Sequence, residues 1–182
     1  MTTPNPEKQP LTALVNREAP LDPAQYEARG GWRGIRRALS MSPDDVIEEV
    51  KNSKLRGRGG AGFNTGLKWS FVPKEPAKDR LKYVVANGDE MEPGTFKDRI
   101  LVEGNPLQLI EGMMITGHAI QADHGIIFLR GNIIWGLSGC RKRSFRRGRP
   151  GGSGRIFRAP DLILIFTSIP VAGVIFAVRR RR

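Results

Sequence analysis

Cysteine is all but missing from these 182 residues, where Cys140 stands alone. A single thiol excludes an intrachain disulfide and any zinc or iron–sulfur site built from several thiolates of this chain. Histidine is scarce as well: only His118 and His124 are present. Neither has an acidic or cysteine partner at ligand spacing, so both read as structural and no metal-binding residue is expected. The N-terminal segment has no apolar core of the kind that marks a secretory signal. With the lone thiol, this favours a reducing, cytoplasmic setting. Long hydrophobic runs are lacking too. The longest uncharged apolar stretch, Leu162 to Val178, has 17 residues, at the lower limit for a spanning helix.

Acidic residues are nearly absent from the last part of the chain. Up to Arg130 there are 18 Lys and Arg against 17 Asp and Glu, whereas from Gly131 onward there are 12 against 1. The formal net charge of +12 therefore describes a tail, and the body is near neutral. This removes the usual argument for a basic nucleic-acid-binding body.

What is present is glycine, concentrated. Five glycines fall between Gly57 and Gly66, bracketed by Arg56, Arg58 and Lys68 and followed by Trp69 and Phe71. Glycine reaches positive φ cheaply and holds no side chain between backbone and ligand, so such a loop can wrap an anion. Cations beside it suit phosphate, and the rings suit a base. The spacing Gly57-x-Gly59-x-x-Gly62 matches the dinucleotide fingerprint on paper. That motif, however, follows a strand and opens a helix, and here no apolar strand precedes Gly57. The ordinary Rossmann loop is rejected.

In chain order, residues 1–22 carry Pro4, Pro6, Pro10 and Pro20 with no apolar period and read as an extended arm. Trp32, Ile35 and Leu39 predict one short amphipathic helix from Tyr26 to Leu39, despite Gly30 and Gly31. Ser42-Pro43-Asp44-Asp45 is a helix start, with a hydroxyl cap, proline at the first position and acids in the first turn. That helix should stop near Ser53. Lys82 to Asn87 reads as a buried strand, Lys97 to Glu103 as a short helix, Pro106 to about Ala122 as a longer one, and Gly125 to Arg130 as a second buried strand. Strand, helix, strand at this spacing predicts a βαβ unit with parallel pairing. Between the first strand and the short helix lies Asn87 to Thr95, a loop holding Asp89, Glu90 and Glu92.

Two loops and two later elements together carry a resemblance. They are Gly-Arg-Gly-Gly-Ala-Gly-Phe-x-Thr-Gly-x-Lys-Trp, Asn-x-Asp-Glu-x-Glu-Pro-Gly-Thr-Phe-Lys-Asp-Arg, an Ile-Glu-Gly-Met helix, and a strand ending Arg-Gly. Over roughly Leu11 to Gly131 the chain resembles the flavin-bearing, NADH-binding F-type subunit of bacterial respiratory complex I, the NADH–quinone oxidoreductase. The resemblance implies an α/β fold, the N-terminal part of an FMN/NADH-binding domain with a Rossmann-like βαβ and a glycine-rich loop. It implies that NADH passes a hydride to FMN, which returns electrons singly to an iron–sulfur relay that includes a 4Fe-4S cluster. By motif, Gly57, Arg58, Gly59, Gly60 and Lys68 would line the FMN pocket with Asn87, Asp89 and Glu90. Ala61, Gly62, Asn64, Thr65 and Gly66 belong to the same cofactor-binding stretch. Phe63 and Phe71 would stack on the adenine of NADH, and Glu92, the catalytic candidate, would hydrogen-bond the dinucleotide. The implied partners are NADH and other peripheral-arm subunits, notably the E-type one. The implied place is the cytoplasmic face of the inner membrane, with membrane contact only through the complex and no nucleic acid.

Each role has a plainer rival. Phe63, Phe71 and Trp69 suit a core, and Asp89, Glu90 and Glu92 suit a solvated turn. Arg56 and Arg58 suit the C-terminal cap of the preceding helix.

After Gly131 the family pattern stops. The family's closing loop, Gly-Arg-Tyr-Ile-Cys-Gly-Glu-Glu-Thr-Ala, and its four cluster cysteines do not follow in the reading frame. An arginine- and glycine-rich run, the apolar stretch and four terminal arginines do. Shifted one nucleotide upstream, the codons allowed for Ser168 to Arg182 can spell His-Thr-Gly-x-Gly-Arg-Tyr-Ile-Cys-Gly-Glu-Glu-Thr-Ala. The division is therefore an arm over 1–22, a partial FMN/NADH-binding domain over 23–131, and an aberrant tail over 132–182, out of frame. On this reading the chain is an incomplete, inactive piece whose cluster ligands are absent. Two alternatives stay open. Leu162 to Val178 with Arg179 to Arg182 behind it could be a membrane anchor, which Pro170 weakens. Arg141 to Arg158 could bind nucleic acid through phosphate alone.

Overall fold

The computed structural model describes residues 11–16, 18–74 and 81–128, together with the backbone of Leu129 and of three strands within 155–180. The Arg141–Arg158 run and Pro170 lie outside the described residues, apart from the backbone of 155–158.

The first helix, α1 (Pro23–Ala28), opens with a reciprocal cap. The Asp22 carboxylate accepts from Gln25 N at 2.8 Å, and Gln25 Oε1 accepts from Asp22 N at 3.1 Å. A second helix, α2, spans Arg33–Leu39. The single helix expected from Tyr26 to Leu39 is thus corrected to two. Gly30 stands at φ +89° and Trp32 at φ +64°, so the chain turns through the left-handed region at a point where apolar spacing continues unbroken. Gly31 has to be glycine here, because a Cβ would lie 2.2 Å from the Tyr26 ring.

The third helix, α3 (Pro43–Asn52), begins as its sequence predicts, with Ser42 Oγ accepting from Asp45 N. Then come α4 (Thr65–Ser70), β1 (Tyr83–Gly88), α5 (Lys97–Gly104), α6 (Pro106–Ala119) and β2 (His124–Leu129). Asn105 breaks α5 from α6 at φ −152°, ψ 65°, and Pro106 starts the new helix where its missing N–H is harmless. The α6 helix ends at Ala119, short of the expected Ala122, because Gln121 takes φ +56°.

β1 and β2 pair in parallel, in register from Tyr83 opposite His124 to Gly88 opposite Leu129. The two helices α5 and α6 make the crossover between them, which gives a mixed α/β unit. Beyond it the backbone forms β3 (Arg155–Ala159), β4 (Leu162–Ile169) and β5 (Gly173–Arg180). The sheet order is β1-β2-β5-β4-β3, and every pairing past β2 is antiparallel. The apolar stretch weighed as a membrane helix therefore lies in two strands. No helix among the described residues is long and apolar enough to cross a membrane.

Three clusters hold the body. Val102, Met113 and Ile127 are buried between α5, α6 and β2, with Val84 and Ala86 of β1 against them. Ile35, Ala38, Val46, Ile47 and Ala119 join α2 and α3 to α6. Leu21, Tyr26 and Leu107 join the N-terminal segment to α6, with Leu14 packed beside them. Each large apolar side chain so buried is worth about 1.5–3 kcal/mol against exposure. The segment read as an arm lies against its own domain over its described part. Asn16 N donates to Gly104 O at 3.0 Å, and a Cβ on Gly104 would sit 2.4 Å from Val15 Cγ1.

Among the described residues, helices cover one face of the parallel pair. Val84 and Ala86 point to the helices, while Tyr83 and Val85 are 50% and 59% exposed. The expectation of a buried first strand is thus corrected: it is buried on one side, in the alternating pattern of a half-covered sheet.

Candidate functional site

The glycine-rich stretch forms a closed loop. Gly57 N donates to Phe63 O and Thr65 N to Leu55 O, both at 2.8 Å, and Arg56 bridges to Asn64 in antiparallel fashion. Between these ties the loop's glycines stand clear of the other described residues. A Cβ added at Gly59, Gly60 or Gly62 would meet nothing within 4 Å, and Gly60 and Gly62 take φ of +134° and +62°. Arg56, Arg58 and Lys68 are exposed around it. The result is an open cradle of backbone with three cations at its rim, able to receive an anionic group.

Asn64 fixes the loop to its foundation. Its Oδ1 accepts from Leu67 N at 2.9 Å, capping α4, and its Nδ2 donates to Lys51 O at 3.3 Å, capping the end of α3. Gly66 makes the approach possible. A Cβ there would lie 2.3 Å from Lys51 N and 2.8 Å from Ile47 O. Gly66 is buried, so its duty is helix packing, whereas Gly59, Gly60 and Gly62 face open space.

Phe63, before α4, and Phe71, at its end, bring their rings to 6.1 Å between centroids with a 46° tilt. They are 47% and 66% exposed. Paired in the open beside cations, these two rings do not belong to the core, so the plainer reading does not hold for this pair. Trp69 differs, since it packs against the α2–α3 cluster.

In the acidic loop the three carboxylates divide. Glu90 accepts from Asp98 N at 3.0 Å and Arg99 N at 3.2 Å, so it caps the first turn of α5 across the loop. Desolvation pushes its pKa up. The backbone bonds from Asp98 and Arg99 and the nearby Lys97 charge outweigh it and hold the carboxyl below its ordinary 4.5. Asp89 lies in a turn where its N–H donates to Asn87 Oδ1 at 3.0 Å. Glu92 is exposed, and its carbonyl accepts from Thr95 N and, at 2.6 Å, from Thr95 Oγ1. Gly94 at φ +81° completes that turn. Among the described residues, the Glu92 and Asp89 carboxylates hold no side-chain bond, whereas Asn87 Oδ1 is taken by Asp89 N and Glu90 by the α5 amides. Among the described residues, no hydrogen bond or ion pair joins this loop to the glycine-rich one.

Both histidines are packed. His118 Nε2 lies 3.1 Å from Met41 O, and His124 stacks on Tyr83 at 5.4 Å. No group of three potential ligands forms a metal site among the described residues.

Charge at Glu111 was not legible in the motif reading. This carboxylate of α6 is buried. It accepts from Tyr26 Oη at 2.6 Å, Trp32 N at 3.0 Å and Ile35 N at 3.1 Å. It caps α2 from another element. A polar residue on an otherwise apolar helix face was the available signal.

The residues present suit a flat, anionic, ring-bearing group. Open backbone with cations is able to meet a phosphate, the exposed ring pair a base, and an exposed carboxylate a hydroxyl. The family described as the Nuo51 FMN-binding domain matches residues 50–148, which include both loops. The F-type subunit of NADH-quinone oxidoreductase from Escherichia coli (strain K12) is 48% identical over 131 residues, covering 71% of this chain and 29% of that protein. The second F-type subunit of Rhizobium meliloti (strain 1021) is 54% identical over 110 residues, covering 60% and 26%. The corresponding Streptomyces coelicolor protein is 51% identical over 109 residues, covering 60% and 24%. The chain thus spans less than a third of the length of these relatives. With both loops inside the matched region, this chain belongs to the Nuo51 FMN-binding domain family and is a homologue of the F-type NADH-quinone oxidoreductase subunit.

Proposed function

We propose that residues 23–131 form one wall of an FMN- and NADH-binding site, the opening half of a Rossmann-like flavoprotein domain. The single observation that carries this is the open cradle at Gly59, Gly60 and Gly62 beside the exposed Phe63–Phe71 pair. FMN held there would supply hydride acceptance from NADH and onward transfer of single electrons. The chain's own residues bind and orient. Gly57 to Gly62 present backbone to the cofactor, Ala61 and Thr65 lie within the same loop, and Arg58 and Lys68 neutralise its phosphate. Asn87 and Asp89 accept or donate at its polar edge, and Glu92 holds a ribose hydroxyl of NADH. Phe63 and Phe71 stack on the adenine. Glu90 and Gly66 support the site by fixing α5 and α4. The 4Fe-4S cluster of the relay has no ligand set here, since Cys140 is the sole cysteine. Cluster chemistry and contact with an E-type partner at the cytoplasmic face of the membrane belong to the complete protein.

The tail from about Asn132 is read out of frame, and the loop that closes the flavin pocket is encoded in the neighbouring frame. The chain with this tail then binds FMN weakly or not at all. Sequencing the gene across the codons for Gly131 to Trp135 locates the shift. Purified chain is expected to lack FMN and to leave ferricyanide unreduced by NADH, while a version with the frame restored retains flavin. Stoichiometric FMN and NADH–ferricyanide activity in the chain with this tail would overturn the proposal.

A further inference from the structure

We infer that Glu111 is a positioning residue for the glycine-rich loop, acting through α2, α3 and α4. The inference rests on the reading of that loop as a cofactor wall. Glu111 is one of few charged groups buried in the body, and its acceptors are used by Tyr26 and by the first-turn amides of α2. Gly34 leaves room for it, since a Cβ there would come within 3.0 Å of Glu111 Oε1. The Trp32 N–H bond holds a residue at φ +64°, a conformation that costs about 1 kcal/mol or more and persists only where surroundings impose it. Burial, and then the bond and charge of Glu111, raise the Tyr26 phenol well above its ordinary pKa.

From α2 the path runs through a shared core. Ile35 and Ala38 of α2 belong to one buried cluster with Val46 and Ile47 of α3 and Ala119 at the end of α6. The same α3 turn, at Ile47 O and Lys51 N, is the surface on which Gly66 lies, and Lys51 O receives Asn64 Nδ2. Asn64 is the residue that closes the loop onto Arg56. From α3 onward the steps are close backbone contacts at Gly66 and Asn64, the condition under which a displacement is passed on. Loss of the α2 cap lets α2 shift on α6, α3 follows, and the loop ties at Gly57 and Thr65 loosen.

The experiment is amide hydrogen exchange on the full chain without cofactor, comparing Glu111→Ala, Glu111→Gln and Tyr26→Phe with the parent. Glu111→Ala is expected to speed exchange at Gly57 and Thr65 about fivefold or more, with β1 and β2 amides unchanged. Glu111→Gln keeps one acceptor oxygen and should give a smaller rise. Tyr26→Phe removes one donor of three and should give about a twofold rise, so it carries the test if Glu111→Ala does not fold. Changes confined to α1 and α2, or a uniform rise across all elements, would overturn the inference. A looser loop with unaltered FMN affinity in the frame-restored protein would instead refute the cofactor reading and leave the positioning role intact.

Discussion

Replacing Gly66 by alanine tests how the loop is held. The new Cβ would stand 2.3 Å from Lys51 N, 2.8 Å from Lys51 Cα and 2.8 Å from Ile47 O. All three are backbone atoms of α3, so no side chain can turn aside. Relief to ordinary contact requires α4 to retreat by about 1 Å, which stretches the Asn64 Nδ2 bond to Lys51 O beyond its present 3.3 Å. Overpacking of this kind costs about 1–3 kcal/mol, and the lost cap adds about 1 kcal/mol. The better helix propensity of alanine returns about 1 kcal/mol. The net expectation is about 2 kcal/mol of destabilisation, a large share of a small domain's stability. Urea unfolding followed by tryptophan emission reports it, because Trp69 of α4 packs on the α2–α3 cluster. Gly59→Ala is the matched control. Its Cβ meets nothing, so stability should stay within about 0.5 kcal/mol. If Gly66→Ala also stays within that range with unchanged emission, Gly66 does not set the approach of α4 to α3.

The Glu90 cap predicts an acid-side loss of stability. Its folded pKa lies below its ordinary 4.5, so the contribution is present above that value and disappears as pH falls through the lower, folded one. Melting temperatures between pH 3 and 6 should show this component, and Glu90→Gln should remove it. Tyr26 behaves oppositely: its raised pKa stabilises the fold below the ordinary phenol value of 10.0, a contribution lost as alkalinity rises towards the folded pKa. In a Tyr83→Phe background, where Tyr26 is the sole tyrosine, absorbance at 295 nm should stay flat through the ordinary range and rise only with unfolding. Phe71→Ala, at a 66% exposed ring, should leave stability within about 0.5 kcal/mol. In the frame-restored protein it should weaken NADH binding about tenfold, since stacking on a base is worth about 1–3 kcal/mol.

Much of the body was legible because local signals and tertiary packing agree. Ser42 and Pro43 announce α3, and the apolar strands around Val84 and Ile127 lie where their composition places them. The helix expected from Tyr26 to Leu39 failed for an equally physical reason. Its apolar spacing reports the shared core of Tyr26, Trp32 and Ile35, which two helices satisfy as well as one. Only Gly30 and Gly31 hint at the turn. Gly66 and Glu90 lie in the motif's cofactor-binding stretches, and their helix packing and capping contacts join separate elements, which motif spacing does not report. The Glu111 cap joins residues 76 to 85 positions apart, a separation at which no periodicity carries information.

The parallel pair β1–β2 has a further consequence, for the chain's fate in a cell. Tyr83 and Val85 present ring and methyl surface on the strand at the sheet's edge, with β1's outer hydrogen-bonding groups unpaired by any strand in the described sheet. Such a face adheres to other exposed strands. Its lifetime is then governed by how quickly chaperones and proteases find it, more than by the free energy of the fold beneath.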